Sequence, residues 1–453
     1  MERSPGSAKS LGSRFRLAAA KPYNGTVIAR LLRPVRFLLS ALALSAVAGC
    51  ARAPERPFIE LWIVDWNQDT RDLLDKRIIP EFERQEHVDV RVQYVDWGHL
   101  DEKLTISFAG GVQPDVFQLG AEYVGSMAYR GQAECLDRYV KDWPQRTDFI
   151  PSAWSTVVAD GHVYGIPYLS APRALVYRKD LFRKLKLRYP PTGWDEWAHD
   201  GMRLAERNPR GGLTRAGINL SSGVNWTTFC TLLWQNGGDV LTPDGHHAAF
   251  NSPQGVEALQ FLVDLFNKYQ VCPREGLPST AVGVPLFASG QSAQELNNQF
   301  AIKNVLKYSK DFGVRDVGVA LPPYRRKKVV TVWTDWLAIS SSSRKKELAW
   351  KLVQHLTRPD NMIQYNETQY FLPPIKSAVS SDYMRNTPFM LDYLRLMEAY
   401  GKSLPPIPEW FEIRAGLKNA VDSAVYGVKT PQQALDDYAR QVDALIAQRE
   451  RTQ

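Results

Sequence analysis

The chain is poor in cysteine and histidine, and it has no apolar run long enough to cross a bilayer. Only four Cys and seven His occur in 453 residues, and no CxxC pair or Cys/His spacing resembles a zinc site. A disulfide-stapled scaffold is excluded, and neither metal nor cofactor is expected. HExxH, GxSxG and Walker A patterns are absent, which removes the common signatures of zinc proteases, serine hydrolases and nucleotide-binding enzymes. Excess positive charge is missing where a nucleic acid would need it. The formal +8 contains +7 from residues 1–49, with eight Lys or Arg against Glu2, so residues 50–453 carry only about +1. The basic excess belongs to a leader, and no nucleic-acid partner is expected.

What is present is an ordinary globular composition, 44% apolar and 23% charged, on a chain too long for one core. Two lobes are therefore expected. Thirteen Trp, nineteen Tyr and eighteen Phe supply either a large core or surfaces that stack on flat ligands. The leader "RLLRPVRFLLSALALSAVAGC" sets Arg30, Arg33 and Arg36 before an apolar run from Phe37 to Ala48, the pattern of a secretory signal too short to span as a helix. The stretch ahead of it is long and polar, and a start near Val27 would give a leader of usual length. The ending Val47-Ala48-Gly49-Cys50 resembles the bacterial lipobox. That resemblance implies a signal over 1–49, lipidation of Cys50, a tether over 50–57, and a site of action on the outer side of a bacterial membrane, in the periplasm or at the cell surface. Of the remaining thiols, either Cys230 and Cys272 bridge or Cys135, Cys230 and Cys272 are all buried and free.

The mature part opens strand, helix, strand, helix, strand. "FIELWIV" (58–64) is apolar, "TRDLLDKRIIPEFERQE" carries Leu73, Leu74, Ile78 and Phe82 at helical spacing, and Val88, Val90, Val92 and Tyr94 alternate. "LDEKLTISFAGG" reads as a helix closed by Gly110-Gly111, and "DVFQLG" as a third strand. This order predicts an α/β lobe with a mainly parallel sheet. Ser252-Pro253 and Thr430 read as starts of later amphipathic helices. No linker divides the chain cleanly, so it is expected to cross between lobes more than once.

The ordered segments "AGGVQPDVFQLG", "DGHVYGIPYLSAPRALVYRKDLFRKLKLRYPPTGWDEW", "WQNGG", "FNSPQGVEALQFL", "DWLAISSSSRKKELAWKLVQHL" and "TQYFLPPIKSAV" resemble the family 1 extracellular solute-binding proteins, the sugar-binding subunits of ABC importers. The resemblance covers nearly all of 58–448. It implies a type II periplasmic-binding-protein fold: two α/β lobes with mixed sheets flanked by helices and a ligand cleft between them. Lobe boundaries expected on this basis are 58–172 with about 301–342, and 173–300 with about 343–453. It further implies a monomer that is not an enzyme, a small carbohydrate as ligand, and ABC permease subunits as partners.

Ligands of such sheets lie beyond the carboxyl ends of strands, and a pyranose offers apolar faces for Trp and a hydroxyl rim for Asp, Glu and Asn. On the family's pattern, Asp65, Trp66 and Asn67 fall on the first cleft loop, Glu122 and Tyr123 on the loop that commonly carries an acid, and Asn225 and Trp226 on a second-lobe contact. Trp97 is a further candidate. "ELNNQF" replaces a small, Gly-containing stretch, which makes Phe300, Asn298 and Asn297 candidates. "VWTDWLAIS" puts Trp333 and Asp335 where relatives have small residues, while alternation carries Trp336 toward the core. Trp410 is either a contact or a helix-start anchor, and Arg173 sits near the hinge, able to meet an acid sugar or to form an ion pair. Rival readings are a non-sugar binder (glycerol phosphoester, polyamine or compatible solute), an exported glycoside hydrolase, and a sensor subunit that presents ligand to a receptor.

Overall fold

The computed structural model describes residues 56–220, 225–274, 277 and 284–452. Cys50 and the side chain of Asn225 lie outside the described residues. Strand β1 (Phe58–Val64) is the backbone of the first lobe: it pairs in parallel with β2 (Asp89–Val95) on one side and β3 (Val116–Gly120) on the other. β2 ends the sheet, and its exposed Asp89, Arg91 and Gln93 alternate with half-buried Val90, Val92 and Tyr94, the polar edge that discourages pairing with another chain. β3 is buried at every position.

Three further strands complete the sheet. β4 (Ile166–Pro172) continues through Arg173 into β5 (Ala174–Arg178), while β6 (Gln294–Asn297) and β7 (Val317–Ala320) flank β5 in a separate three-stranded sheet. β8 (Val330–Ile339) then returns to the first sheet, antiparallel to both β3 and β4, and its first residues pair with the short β9 (Gly401–Lys402). The sheet is therefore mixed, as the family resemblance implied, with the order β9-β8-β3-β1-β2 and β4 also on β8.

Two hydrophobic cores result. The first gathers Ile59, Leu61, Phe117, Tyr168, Trp336 and the helices around them; the second gathers Trp197, Phe229, Leu262, Leu417 and Leu435 from the helices Trp194–Leu204, Asn225–Gln235, Pro253–Asn267, Trp410–Val425 and Pro431–Thr452. β5 divides them: Ala174 and Val176 face the first core, Leu175 and Tyr177 the second. The chain passes between the cores several times: β5 touches both, Ala301, Ile302 and Val305 return to the first core after Leu296 in the second, Val329 and Val332 lie on opposite sides, and a last passage falls between Met397 and Trp410. The sequence expectation gave 343–453 to the second lobe. The structure buries Ala349, Leu352, Leu356, Met362, Tyr393 and Met397 in the first core, and the chain joins the second from Leu404 and Ile407 onward. An amphipathic helix carries no mark of which core will receive its apolar face.

Local signals were followed closely. The helical segment from Gln68 to Glu86 contains a widened π turn at Leu74–Ile78, directly ahead of Pro80, whose missing N–H and ring disturb the regular ladder. The helix Leu100–Gly110 closes on Gly111 in the left-handed region, φ 69°. Ser252 accepts from Gly255 N at 3.3 Å, and Thr430 from Gln433 N at 3.2 Å. Of the thiols, Cys230 and Cys272 are buried and free, so no bridge joins them, and Cys135 is exposed rather than buried.

Candidate functional site

β1 lies beside β3 and β3 beside β8, whose Trp333 packs against both cores, and most of the candidate residues collect along this seam. Asp65 extends the ladder by one bond, its N–H donating to Val95 O at 2.8 Å. Its carboxylate accepts from Arg71 Nε at 2.8 Å and also from Arg71 Nη2, and this fork holds it below the usual carboxylate range. Asn67 starts the next helix: its Oδ1 accepts from Thr70 N at 3.0 Å and its Nδ2 donates to Thr368 O at 3.1 Å. Both polar atoms are committed to the fold.

Trp66, between them, belongs to a row of rings drawn from four separate segments. It stacks on Trp97 with centroids 5.8 Å apart and planes 20° apart, and meets Phe371 edge-on at 5.1 Å; Phe371 in turn lies 4.7 Å from Phe300. Trp97 is the outermost, 39% exposed. Phe371 was not singled out in the sequence, although it sits inside the "TQYFLPPIKSAV" segment. Its neighbour Tyr370 is a non-glycine residue at φ 68°, a costly conformation held at the end of the helix Pro359–Gln369.

Beside the rings lies a buried polar chain. Gln118, inside the otherwise apolar β3, accepts from Val64 N (3.2 Å) and Tyr365 Oη (2.9 Å), and donates to Asp335 Oδ2 at 2.9 Å. Asp335 stands opposite Gly120 in the ladder and is 7% exposed. Burial raises its carboxyl well above the ordinary range, and the charge of nearby Glu122 pushes the same way. Glu122 follows β3 and folds back over its end, so closely that a Cβ on Gly120 would come within 2.3 Å of Glu122 Oε2. Burial raises Glu122 too, against the pull of Arg414. Tyr123 turns aside, donating to Asp101 Oδ2 at 3.0 Å, with its ring 5.2 Å from Phe411.

Trp333 packs against both cores, and its indole N–H has no hydrogen-bond partner among the described residues. It meets Trp226 edge-to-face at 5.8 Å and 88°, and Trp226 leans on Trp410 at 6.0 Å. A crevice lined by Glu122, Thr156, Trp333, Thr334, Ser403 and Leu404 has about 10 Å³ of free space, room for about one water. Trp336 enters the first core, its N–H donating to Gly120 O at 2.9 Å. Trp410 is fully buried at the first position of its helix. Asn298 Oδ1 accepts from the N–H of Phe300 at 3.0 Å, two residues on, where the helix Phe300–Tyr308 begins. Asn297 accepts from Arg173 Nη1 at 3.0 Å, and burial lowers the arginine's pKa against the pull of Tyr393 and Glu295. Among the described residues, no metal-ligating cluster lies at this seam.

The seam thus places ring faces beside hydrogen-bonding acids and amides. Residues 67–363 match the family described as bacterial extracellular solute-binding protein. The chain belongs to that family. Its members work outside the cytoplasm and are binding proteins. A binding protein of Brucella abortus is 25% identical over 411 residues, 90% of this chain and 97% of its own length. The sn-glycerol-3-phosphate-binding periplasmic protein UgpB of Pectobacterium atrosepticum is 23% identical over 94% of this chain and 98% of its own. Among solved structures, an ABC transporter solute-binding protein of Thermotoga lettingae bound with α-D-tagatose superposes with a TM-score of 0.72 at 25% identity, covering 86% of this chain and all of that one. The sugar-binding protein MalE of Xanthomonas citri gives 0.76 at 22% identity, covering 87% and 98%, and supports the two-lobed fold. No helix among the described residues of this solute-binding protein is long and apolar enough to cross a membrane.

Proposed function

We propose that this solute-binding protein captures a sugar or oligosaccharide at the seam and hands it to an ABC transporter permease when the lobes close. The chain is held at the membrane by a lipid on Cys50, and it performs no catalysis. The row Trp97–Trp66–Phe371–Phe300 beside Glu122 and Asp335 carries this reading. Rings take the apolar faces of a pyranose, and the acids take its hydroxyls. A site built around hydroxyls rejects ligands that lack them, because its polar groups would be left unpaired.

A glycerol phosphoester, suggested by the likeness to UgpB, fits less well. The acids Glu122 and Asp335 bring a phosphate no positive charge, and Arg173 gives one of its N–H groups to Asn297. The test is a thermal-shift and calorimetric screen of mono- and oligosaccharides against sn-glycerol 3-phosphate and polyamines. A ligand at 100 times its Kd adds about 2.7 kcal/mol of stability. A sugar is expected to raise the midpoint without being cleaved, and Trp66→Ala to weaken it by roughly 10- to 100-fold, or about 1.4–2.7 kcal/mol. A midpoint moved by the phosphoester or a polyamine and by no sugar overturns the proposal.

A further inference from the structure

Far from the seam, the structure brings together three donors that the sequence separates. Cys135, Asp137 and His162 each offer one ligand atom, and these atoms lie within 4.8 Å of one another. His162 Nδ1 is 2.6 Å from Asp137 Oδ2. The arrangement is framed by backbone: Leu136 N donates to Val163 O at 2.7 Å, and Val163 N to Asp137 Oδ1 at 2.9 Å. His162 stands in a two-stranded hairpin where Val158 pairs with Val163 and Ala159 with His162. The turn residues Asp160 and Gly161 both have positive φ, 49° and 80°, the tight form that matches strand twist. The histidine is therefore presented by a short, well-defined hairpin rather than by a long loop.

The cluster lies at the opposite end of the strands of the first sheet from the ligand seam. Glu134 N donates to Ile339 O, and Ile339 pairs with Val116 at the start of β3, whereas Asp335 pairs with Gly120 at its end. Four residues of strand, about 13 Å, separate the two levels.

We propose that Cys135, Asp137 and His162 form a surface site for a zinc ion, independent of the solute cleft. The donor set decides the class of ion. A thiolate and an imidazole are poor ligands for calcium or magnesium, which take oxygen, and suit zinc in a tetrahedral arrangement. Zn–S and Zn–N bonds near 2.3 and 2.0 Å put the donors about 3.5 Å apart, so side-chain rotation alone brings this set into range. On binding, the Cys135 S–H bond breaks, its proton leaves to solvent, and an S–Zn bond forms; the imidazole binds through an unprotonated nitrogen. Three protein ligands leave the fourth position to water. Cys135 is also the exposed cysteine among the three described, in a protein that works outside the cytoplasm, where a free thiol is open to oxidation. A bound ion would mask it.

The test uses the purified chain, stripped with a chelator and titrated with cobalt(II) alone, then with zinc(II) as competitor. One equivalent of cobalt is expected, with a thiolate-to-cobalt charge-transfer band that zinc abolishes. Cys135→Ser removes the band, His162→Ala weakens binding by at least about 10-fold, and His246→Ala, in a different surface cluster, leaves it intact. Zinc also slows labelling of Cys135 by a thiol reagent. Carbohydrate binding is expected to be the same in all three variants, which keeps this site separable from the cleft. Absence of the band, its persistence in Cys135→Ser, or labelling of Cys135 at one rate with and without zinc overturns the proposal. So does an intermolecular Cys135 disulfide that forms equally fast in the presence of zinc.

Discussion

Replacing Asp335 by Asn is expected to flatten the dependence of stability on pH. The buried carboxyl has a native pKa well above its ordinary value, and it holds a proton that the unfolded chain releases near pH 4. Above that value the native state binds more protons than the unfolded state, so its stability falls as pH rises. The fall ends only where native Asp335 itself ionises. One held proton is worth about 1.4 kcal/mol per pH unit over the interval in which only the unfolded chain has released it. Asn cannot bind a proton and removes this slope. Its Oδ1 can still accept from Gln118 Nε2, now at 2.9 Å from the carboxylate. Its new N–H₂ adds an offset of about 1–3 kcal/mol if left unpaired, but that offset does not change with pH. The difference between the two proteins therefore shifts toward the variant as pH rises. Urea unfolding at several values between pH 5 and 8, followed by tryptophan fluorescence, measures it. Parallel curves for wild type and Asp335→Asn would mean that native Asp335 is already ionised, and would refute the account of this site.

Trp410→Ala is expected to cost roughly 3–5 kcal/mol of stability, as for other buried tryptophans, because its fully buried indole leans on Trp226; a melt unchanged within a degree would contradict that packing. Gly217→Ala places a Cβ 1.8 Å from Gly201 O on a neighbouring backbone that cannot yield, so a loss of soluble expression or a sharply lowered Tm is expected. In chelator, a thiol reagent is expected to label Cys135 rapidly and Cys230 and Cys272 only after unfolding, with the same melt under reducing and non-reducing conditions. A fall in Tm on reduction would reveal a bridge.

Much of this fold was legible because its signals are local. Ser252, Thr430 and Gly111 mark helix ends through hydrogen bonds or dihedrals that involve only a few neighbouring residues. Alternation in β2 reported its half-exposed face. The partition of the cores was not legible, since the choice of partner for the helices between Lys346 and Tyr400 depends on the return of β8 to the first sheet. The site shows the same division. Residue type suggested that Asn67 and Asn298 were free for hydroxyls, but Asn67 caps a helix and Asn298 holds the backbone N–H of Phe300, uses to which asparagine side chains are equally suited. An indole in the sequence does not distinguish a ring at the seam, such as Trp97, from a buried anchor, such as Trp410. Gln118 did leave a signal, a lone amide in a strand otherwise made of apolar residues and glycine, and its three bonds account for it.

The perpendicular indoles of Trp226 and Trp333 have an optical consequence. One is buried in the second core and the other touches both, with centroids 5.8 Å apart. Two strong chromophores so close share their excitation, and the signed couplet this gives in circular dichroism decays steeply as they separate. Any rotation of one lobe against the other would rewrite that couplet, so the protein carries an intrinsic gauge of its own opening that requires no attached dye.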